Sequence, residues 1–524
     1  MNSKIACISA LLLAVVLVPE AGADFLIYKL GTKGQKRQRR GVGATGAPQP
    51  NAGGMNGMGG GNSGSGREVV LYGKIKKDGG GIMYTHPDVG EPLIFQPNQV
   101  EIKHAPTMKM TFNKMLGQAG KDPEAVLHAA CWALKKGLLT EFHLGIDKVL
   151  ALDPQHETAL RIRELKQRIA TPLPEEPDPA IEKRLRSVVN QPGMHVETSN
   201  HFLLLHDTDA KAESGHHLNR AKWRLRLLEQ MYERFVFLFE VQRVDLELPQ
   251  ERLMAVLFKN QSDFQECATR LEARLSDDAG FWSPVCNLTC FFDDSNTAES
   301  QDLQSEREKL EKTAADAKKS GKSLERQRDS ETLRQIKINS VLIEIDRLNS
   351  DIASVSREAT HQLAANTGLL PQRVEIPQWV LEGLAMYLES PTDEAWGGSG
   401  AVDESRIDDY RTLKDDRLRS SIDFIVEDRA LGDANSRRPS PAKSAQVWAL
   451  THFLFENHAP ELMAYYKMLG EMPRDVGLNP NLLDQIFSSA FGTDHESLQL
   501  EWRTYMRSLK PDVERMEESG DKAD

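Results

Sequence analysis

SREATHQLAANTGL, residues 356–369, places Glu358 and His361 three positions apart within an apolar-patterned run. On a helix, His-Glu-x-x-His sets two imidazoles one turn apart on one face. The carboxylate between them can then reach a water held on a shared metal. Here the first imidazole position is Arg357. A guanidinium has no free lone pair for a metal at any relevant pH. Further along, PQWVLEGLAMYLE carries Glu382, 21 positions after His361, on a helix that Pro377 starts. The implied chemistry is attack by a metal-activated water, whose pKa falls to about 7 on zinc. Glu358 would be the general base and His361 a ligand.

The missing ligand bears on zinc directly. Structural zinc sites in peptides are worth roughly 10–16 kcal/mol, and losing one protein ligand removes several of these. Arg357 adds a fixed positive charge, about 4 kcal/mol of repulsion per charge pair at 4 Å with an effective dielectric near 20. Arg357 can instead supply the cation itself, with Glu382 or Glu358 as its bidentate partner. A salt bridge then stands in for the ion and keeps the two helices together. The rival expectation is a working hydrolase that borrows another ligand from a distant segment.

These residues need a scaffold. HFLLLHD (201–207) reads as a buried strand followed by a helix with Leu218, Ala221, Leu225, Leu228, Tyr232 and Phe235 on one face. RLMAVLFKN (252–260) gives a second strand, and FWSPVCNLTCFFDD (281–294) a third. Residues 297–340 are densely charged, with Ser-Gly at 320–321 between two helical halves, and read as a projecting hairpin and candidate protein-binding arm. Ile338, Leu342, Ile345, Leu348, Ile352 and Val355 then step at three- and four-residue intervals into the motif. His452 lies on an apolar helix and reads as a core histidine.

EATHQLAANTGL, PQWVLEGLAMYLE and WALTHFLFE, in that order, resemble the gluzincin-like metallopeptidases. More narrowly, they resemble a family of exported bacterial proteins of unknown function built on that fold. The resemblance covers roughly 196–510. It implies a zincin-like domain of mixed sheet, motif helix and helical C-terminal part, with Glu382 of the second motif as the third metal ligand and a peptide bond as substrate. It also implies an extended peptide lying along an edge strand near 286–292. The chain departs from the family pattern at Arg357. It departs again in KSAQVWALTHFL, where Ser444 stands in place of a tyrosine that could steady an oxyanion.

The fold class expected is α+β, with further modules before this domain. Residues 1–23 read as a secretory signal: Lys4, an apolar run, then Ala21-Gly22-Ala23. Residues 24–66 are basic, then Gly/Ser-rich, and read as a flexible linker. Residues 67–106 read as a small β module with a hairpin at Asp-Gly-Gly-Gly. In 107–170, Trp132, Gly137, Leu150, Asp153-Pro154 and Ala159 resemble one tetratricopeptide unit, too few to stand alone. Residues 171–195 read as a Pro-rich acidic linker, and 196–524 as the zincin-like domain.

Net charge is -12. The stretch 24–67 carries about +6, which leaves about -18 on the rest and argues against a nucleic-acid partner. No later stretch approaches the roughly 20 apolar residues needed to span a bilayer. Export would place Cys131, Cys267, Cys286 and Cys290 in an oxidising compartment, with the pairing left open.

Overall fold

The computed structural model describes residues 23–29, 68–105 apart from 79, 87–88 and 90–91, 107–209, 218–271, 279–293, 323–389, 398–431 apart from 403, and 440–511, together with residues 305, 308, 309 and 312. The fold is α+β. It has a small β module, a helical part, and a mixed sheet followed by helices.

The β module is a five-stranded antiparallel sheet. Its strands are β1 (Ala23–Lys29), β2 (Glu68–Asp78), β3 (Gly81–Thr85), β4 (Leu93–Phe95) and β5 (Val100–Ala105), in the order β4-β3-β2-β1-β5. Residues 23–29 therefore correct the linker reading of 24–66. ADFLIYK is an apolar run that buries Leu26, Ile27 and Tyr28, and it pairs with β2 on one side and β5 on the other. Seven residues close after the apolar run that begins the sequence carry too little pattern to stand out as a strand. The Gly/Ser-rich remainder of the linker lies outside the described residues.

Four helices follow: α1 (Met108–Ala119), α2 (Pro123–Lys135), α3 (Leu139–Leu152) and α4 (Glu157–Ala170). α2 and α3 turn at Gly137, whose φ of 73° favours glycine. They pack closely enough that a Cβ on Gly145 would lie 2.6 Å from that of Ala130. The core of this segment is continuous with that of the helices beyond it.

The acidic Pro-rich stretch read as a linker over 171–195 contains α5 (Asp178–Val189). Ile181, Leu185 and Val189 recur every four residues and bury one face, which is why this segment folds. Arg252 holds its start through Asp178 at 2.7 Å and the carbonyls of Leu173 and Pro174.

The second sheet contains β6 (His195–Thr198), β7 (Phe202–His206), β8 (Leu253–Phe258), β9 (Gly280–Ser283) and β10 (Leu288–Phe292), ordered β6-β7-β8-β10-β9. β7, β8 and β10 are parallel, and the outer strands are antiparallel. The parallel strands are buried on both faces, hence their continuous apolar sequences. Alternation sends Leu204, Ala255, Leu257 and Phe291 to the face covered by α6 (Arg220–Val241). Leu203, Leu205, Met254, Val256 and Cys290 go to the face covered by α5 and α7 (Gln261–Arg270).

Two expectations need correction here. The stretch 281–294 is a β9–β10 hairpin rather than one strand, because Ser283-Pro284 and Asn287, at φ 51°, turn the chain. Consequently 286–292 is not an edge: β10 lies between β8 and β9, and β9 is the terminal strand.

α8 (Ser323–Asn366) is a 44-residue helix, ~66 Å long at 1.5 Å per residue. Ile338, Val341, Ile345 and Leu348 are buried against Leu26, Tyr28, Leu71 and Tyr84 of the β module. Of the expected projecting arm, 297–340, the end at Ile338 is thus docked on the β module. Most of 297–322, with the supposed hairpin tip, lies outside the described residues. The C-terminal helices are α9 (Gln378–Leu388), α10 (Glu404–Leu413), α11 (Ile422–Val426), α12 (Pro441–Asn457), α13 (Ala459–Gly470), α14 (Pro480–Phe491) and α15 (His495–Ser508).

Candidate functional site

The site forms where the last turns of α8 pass beneath β9 and meet α9. α8 is fixed there by buried ion pairs. Arg220 reaches Asp293 at 2.9 Å and Asp351 at 2.7 Å, and Arg224 reaches Asp351 at 2.5 Å. Burial alone would raise the pKa of Asp351, but Arg224, Arg220 and Arg347 hold it below the ordinary carboxylate value. The face one turn on meets the strand. A Cβ on Gly280 would lie 2.6 Å from Ser354 Oγ and 3.1 Å from Glu358 Cγ, so glycine allows β9 onto the motif helix.

Gln362, the residue after the motif histidine, ties the helix to the sheet. Its Nε2 donates to the carbonyls of Met254 at 3.0 Å and Asn287 at 3.1 Å. One turn later, Asn366 and Asn287 exchange reciprocal amide hydrogen bonds of 2.8 Å. These contacts fix the β9–β10 turn over the helix.

α9 is positioned independently. Its first amides, on Gln378 and Trp379, donate to the two oxygens of Asp428 at 2.9 and 3.1 Å, capping a helix whose own N-cap is proline. It crosses α12 at Gly383, where a Cβ would fall 2.1 Å from Thr451 Oγ1. The Glu-Gly pair of the second motif therefore joins the Glu382 carboxylate to a close helix crossing.

These constraints bring Arg357, Glu358, His361 and Glu382 together. The Arg357 guanidinium donates to Glu382. A second nitrogen lies 3.5 Å from Glu389, which Arg406 of α10 binds at 2.6 Å while also donating to the Met386 carbonyl at 3.1 Å. Two arginines and two glutamates thus form a charge-neutral chain across α8, α9 and α10. Its side chains are 13–18% exposed. Sequence reasoning missed Glu389 and Arg406. Glu389 carried a signal, since it follows Glu382 by seven residues, two turns along the same face. Arg406 lies on a separate helix and carried none.

His361 Nδ1 is 3.6 Å from Glu358, and its Nε2 is buried with no hydrogen-bond partner among the described residues. The half-buried ring of Trp282 on β9 lies 6.0 Å away. Burial opposes charge on the imidazole, but the adjacent Glu358 carboxylate, with Glu382 beyond, outweighs it. They hold the His361 pKa above its ordinary value, against Arg357. Ser444 is half-buried in the first turn of α12, and no hydrogen bond among the described residues joins it to Glu358, His361 or Glu382. His452 is a satisfied core histidine, bonded to the Gly400 carbonyl and the Tyr505 hydroxyl, each at 3.0 Å.

The donor set does not fit zinc. Glu382, the expected third ligand, is occupied by Arg357, and the first ligand position is that arginine. Among the described residues, the group whose ligand atoms lie within 4.8 Å of one another is a different one: Asp423, Asp484 and His495. There His495 ties three helices together, with Nδ1 2.7 Å from Asp423 and Nε2 3.1 Å from Ser488 Oγ. Asp423 and Asp484 are 60% and 44% exposed, as ordinary surface carboxylates are.

No helix among the described residues is long and apolar enough to cross a membrane. No curated protein and no solved structure matches the chain significantly. Residues 351–474, which contain Arg357, Glu358, His361, Glu382 and Ser444, match the family model of a protein family of unknown function, DUF1570.

Proposed function

We propose that this chain is an exported, metallopeptidase-like protein that has exchanged a zinc site for an ion-pair chain, and that it binds extended peptide or protein segments without hydrolysing them. The observation that carries this reading is the Arg357 guanidinium seated on Glu382. That contact fills the ligand position with a cation and consumes the carboxylate that a metal would need. The attack by metal-bound water outlined from the motif then has no place to occur. Glu358 is left as a partner of His361 rather than a general base.

Peptide binding draws support from the arrangement of β9. Among the described residues it is the outermost strand of the sheet, it lies against the motif helix at Gly280, and it presents Trp282 beside His361. An extended segment added to such a strand gains backbone hydrogen bonds along its length, and neighbouring side chains set specificity. Trp282 supplies a large apolar surface with a polar N–H, the kind of residue that dominates binding energies.

The test is incubation of the purified chain with an unbiased peptide mixture, with and without a chelator, followed by mass spectrometry. Retention of peptides that is lost in Trp282→Ala, with no new termini, is the expected outcome. Chelator-sensitive cleavage would establish the rival reading, a working peptidase with a borrowed ligand.

A further inference from the structure

Three C-terminal helices that contribute nothing to the ion-pair chain meet at His495. Ser488 lies in the last turn of α14, and the turn at Gly492, with φ 84°, brings the chain back so that His495 opens α15. Ser488 Oγ is 3.1 Å from His495 Nε2. Asp423, in the first turn of α11, is 2.7 Å from His495 Nδ1. Gln499, one turn along α15, holds α11 in place. Its side-chain oxygen accepts from the Ile422 amide at 2.8 Å, and its Nε2 donates to the Ser420 carbonyl at 3.2 Å. The buried ring of Phe487 stands edge-on to the imidazole, 5.4 Å between centroids, and sets its plane.

The protons in this chain of contacts follow from the groups themselves. An ionised carboxylate only accepts, so Nδ1 carries the hydrogen that it gives to Asp423. In the neutral imidazole Nε2 then keeps a lone pair, and Ser488 donates its O–H to it. Nucleophile, base and orienting carboxylate stand in the order that acyl transfer by a serine requires, a constellation defined by geometry and not by sequence position. We propose that Ser488, His495 and Asp423 form a hydrolytic site for small carboxylic esters. Asp484, one turn before Ser488 on α14, lies 3.8 Å from His495 Nδ1. Two carboxylates beside the imidazole favour a neutral or cationic ester over an anionic one. Ser488 is half-buried and the His495 side chain is 16% exposed, so the site is open to a small solute. The proposal is independent of the ion-pair chain and of peptide binding.

Ser488 Oγ attacks the ester carbonyl carbon while its proton passes to His495 Nε2, and Asp423 steadies the imidazolium that forms. The bond from the carbonyl carbon to the alcohol oxygen breaks, and the alcohol leaves with the proton from Nε2. Water then attacks the acyl carbon and gives a proton to Nε2. The bond from that carbon to Oγ breaks, Ser488 recovers the proton, and the acid departs. One ester and one water become one acid and one alcohol, with no oxidant or reductant.

The full chain is incubated with a fluorophosphonate probe, digested and mapped, and its hydrolysis of 4-nitrophenyl acetate is followed in parallel. The expected result is a label on Ser488 that is absent when the chain is unfolded in urea before the probe is added. Ser488→Ala keeps the His495–Asp423 contact and so should stay folded, while hydrolysis falls by about tenfold or more. Asp423→Asn should lower kcat and leave KM unchanged, a split that a merely structural tie would not produce. An unlabelled Ser488 in the folded chain, a label that persists after unfolding, or equal hydrolysis by Ser488→Ala would overturn the proposal.

Discussion

Removing one side of the Arg357–Glu382 pair leaves the other charge in a site only 14–18% exposed. Breaking a fully buried pair by deleting one partner costs about 3–5 kcal/mol, most of it the uncompensated charge. Here Glu389, 3.5 Å from Arg357, retains part of the neutralisation, and residual solvent screens the rest. Glu382→Gln should therefore destabilise by ~2–3 kcal/mol. Arg357→Met should cost a similar amount, because Glu382 is left without its cation on the face it shares with Glu389. Arg357→Met/Glu382→Gln removes both charges and should lose much less than the sum, giving a coupling of ~1–3 kcal/mol. Urea unfolding followed by tryptophan fluorescence measures all three variants. Strictly additive single effects, with coupling below about 0.5 kcal/mol, would show that the bridge is incidental and refute the exchange of metal for ion pair.

Other expectations concern the elements that hold the site. Gly383→Ala should destabilise by ~1–3 kcal/mol, because its Cβ would fall on Thr451, and Thr451→Ala in the same chain should recover part of the loss; thermal unfolding of both variants checks this. Ile338→Ala should cost ~2–4 kcal/mol and expose the β module to limited proteolysis before the rest of the chain, since Ile338 is 0% exposed between α8 and that module. Glu229 accepts hydrogen bonds from His201 and Ser199, at 2.7 and 2.6 Å, and these hold its pKa below the ordinary glutamate value despite burial. A depressed folded-state pKa contributes stability that is present above the unfolded value, near 4.5, and lost as pH falls through the lower folded value. Glu229→Gln should flatten that part of the acid limb in a pH series of unfolding midpoints.

The parts legible in the sequence were those with long, regular patterns. The apolar runs at 202–206 and 253–258 declared doubly buried strands, and the motif helix and its partner were set by Glu358, His361 and Glu382. The choice of Glu382 as the partner of Arg357 follows from helix geometry. Arg357 and Glu358 are adjacent and diverge around the helix, whereas Glu382 arrives from a facing element. Less legible were short elements and long-range docking. β1 is seven residues whose partners lie at 68–73 and 100–105, and nothing local marks that pairing. Residues 297–340 read as a projecting arm because their charges are visible in sequence, while the β module that covers Ile338 and the apolar stripe after it is not. The edge position was assigned to 286–292 instead of 280–283 because the turn at Ser283-Pro284 was read as part of one strand.

The central claim is that an arginine has taken the place of a metal, and zinc content tests it most directly. Elemental analysis of the full chain, purified without chelator and dialysed against zinc, should give no bound zinc, and Arg357→His analysed in parallel should gain it. Near-stoichiometric, chelator-removable zinc in the unmodified chain would contradict the account.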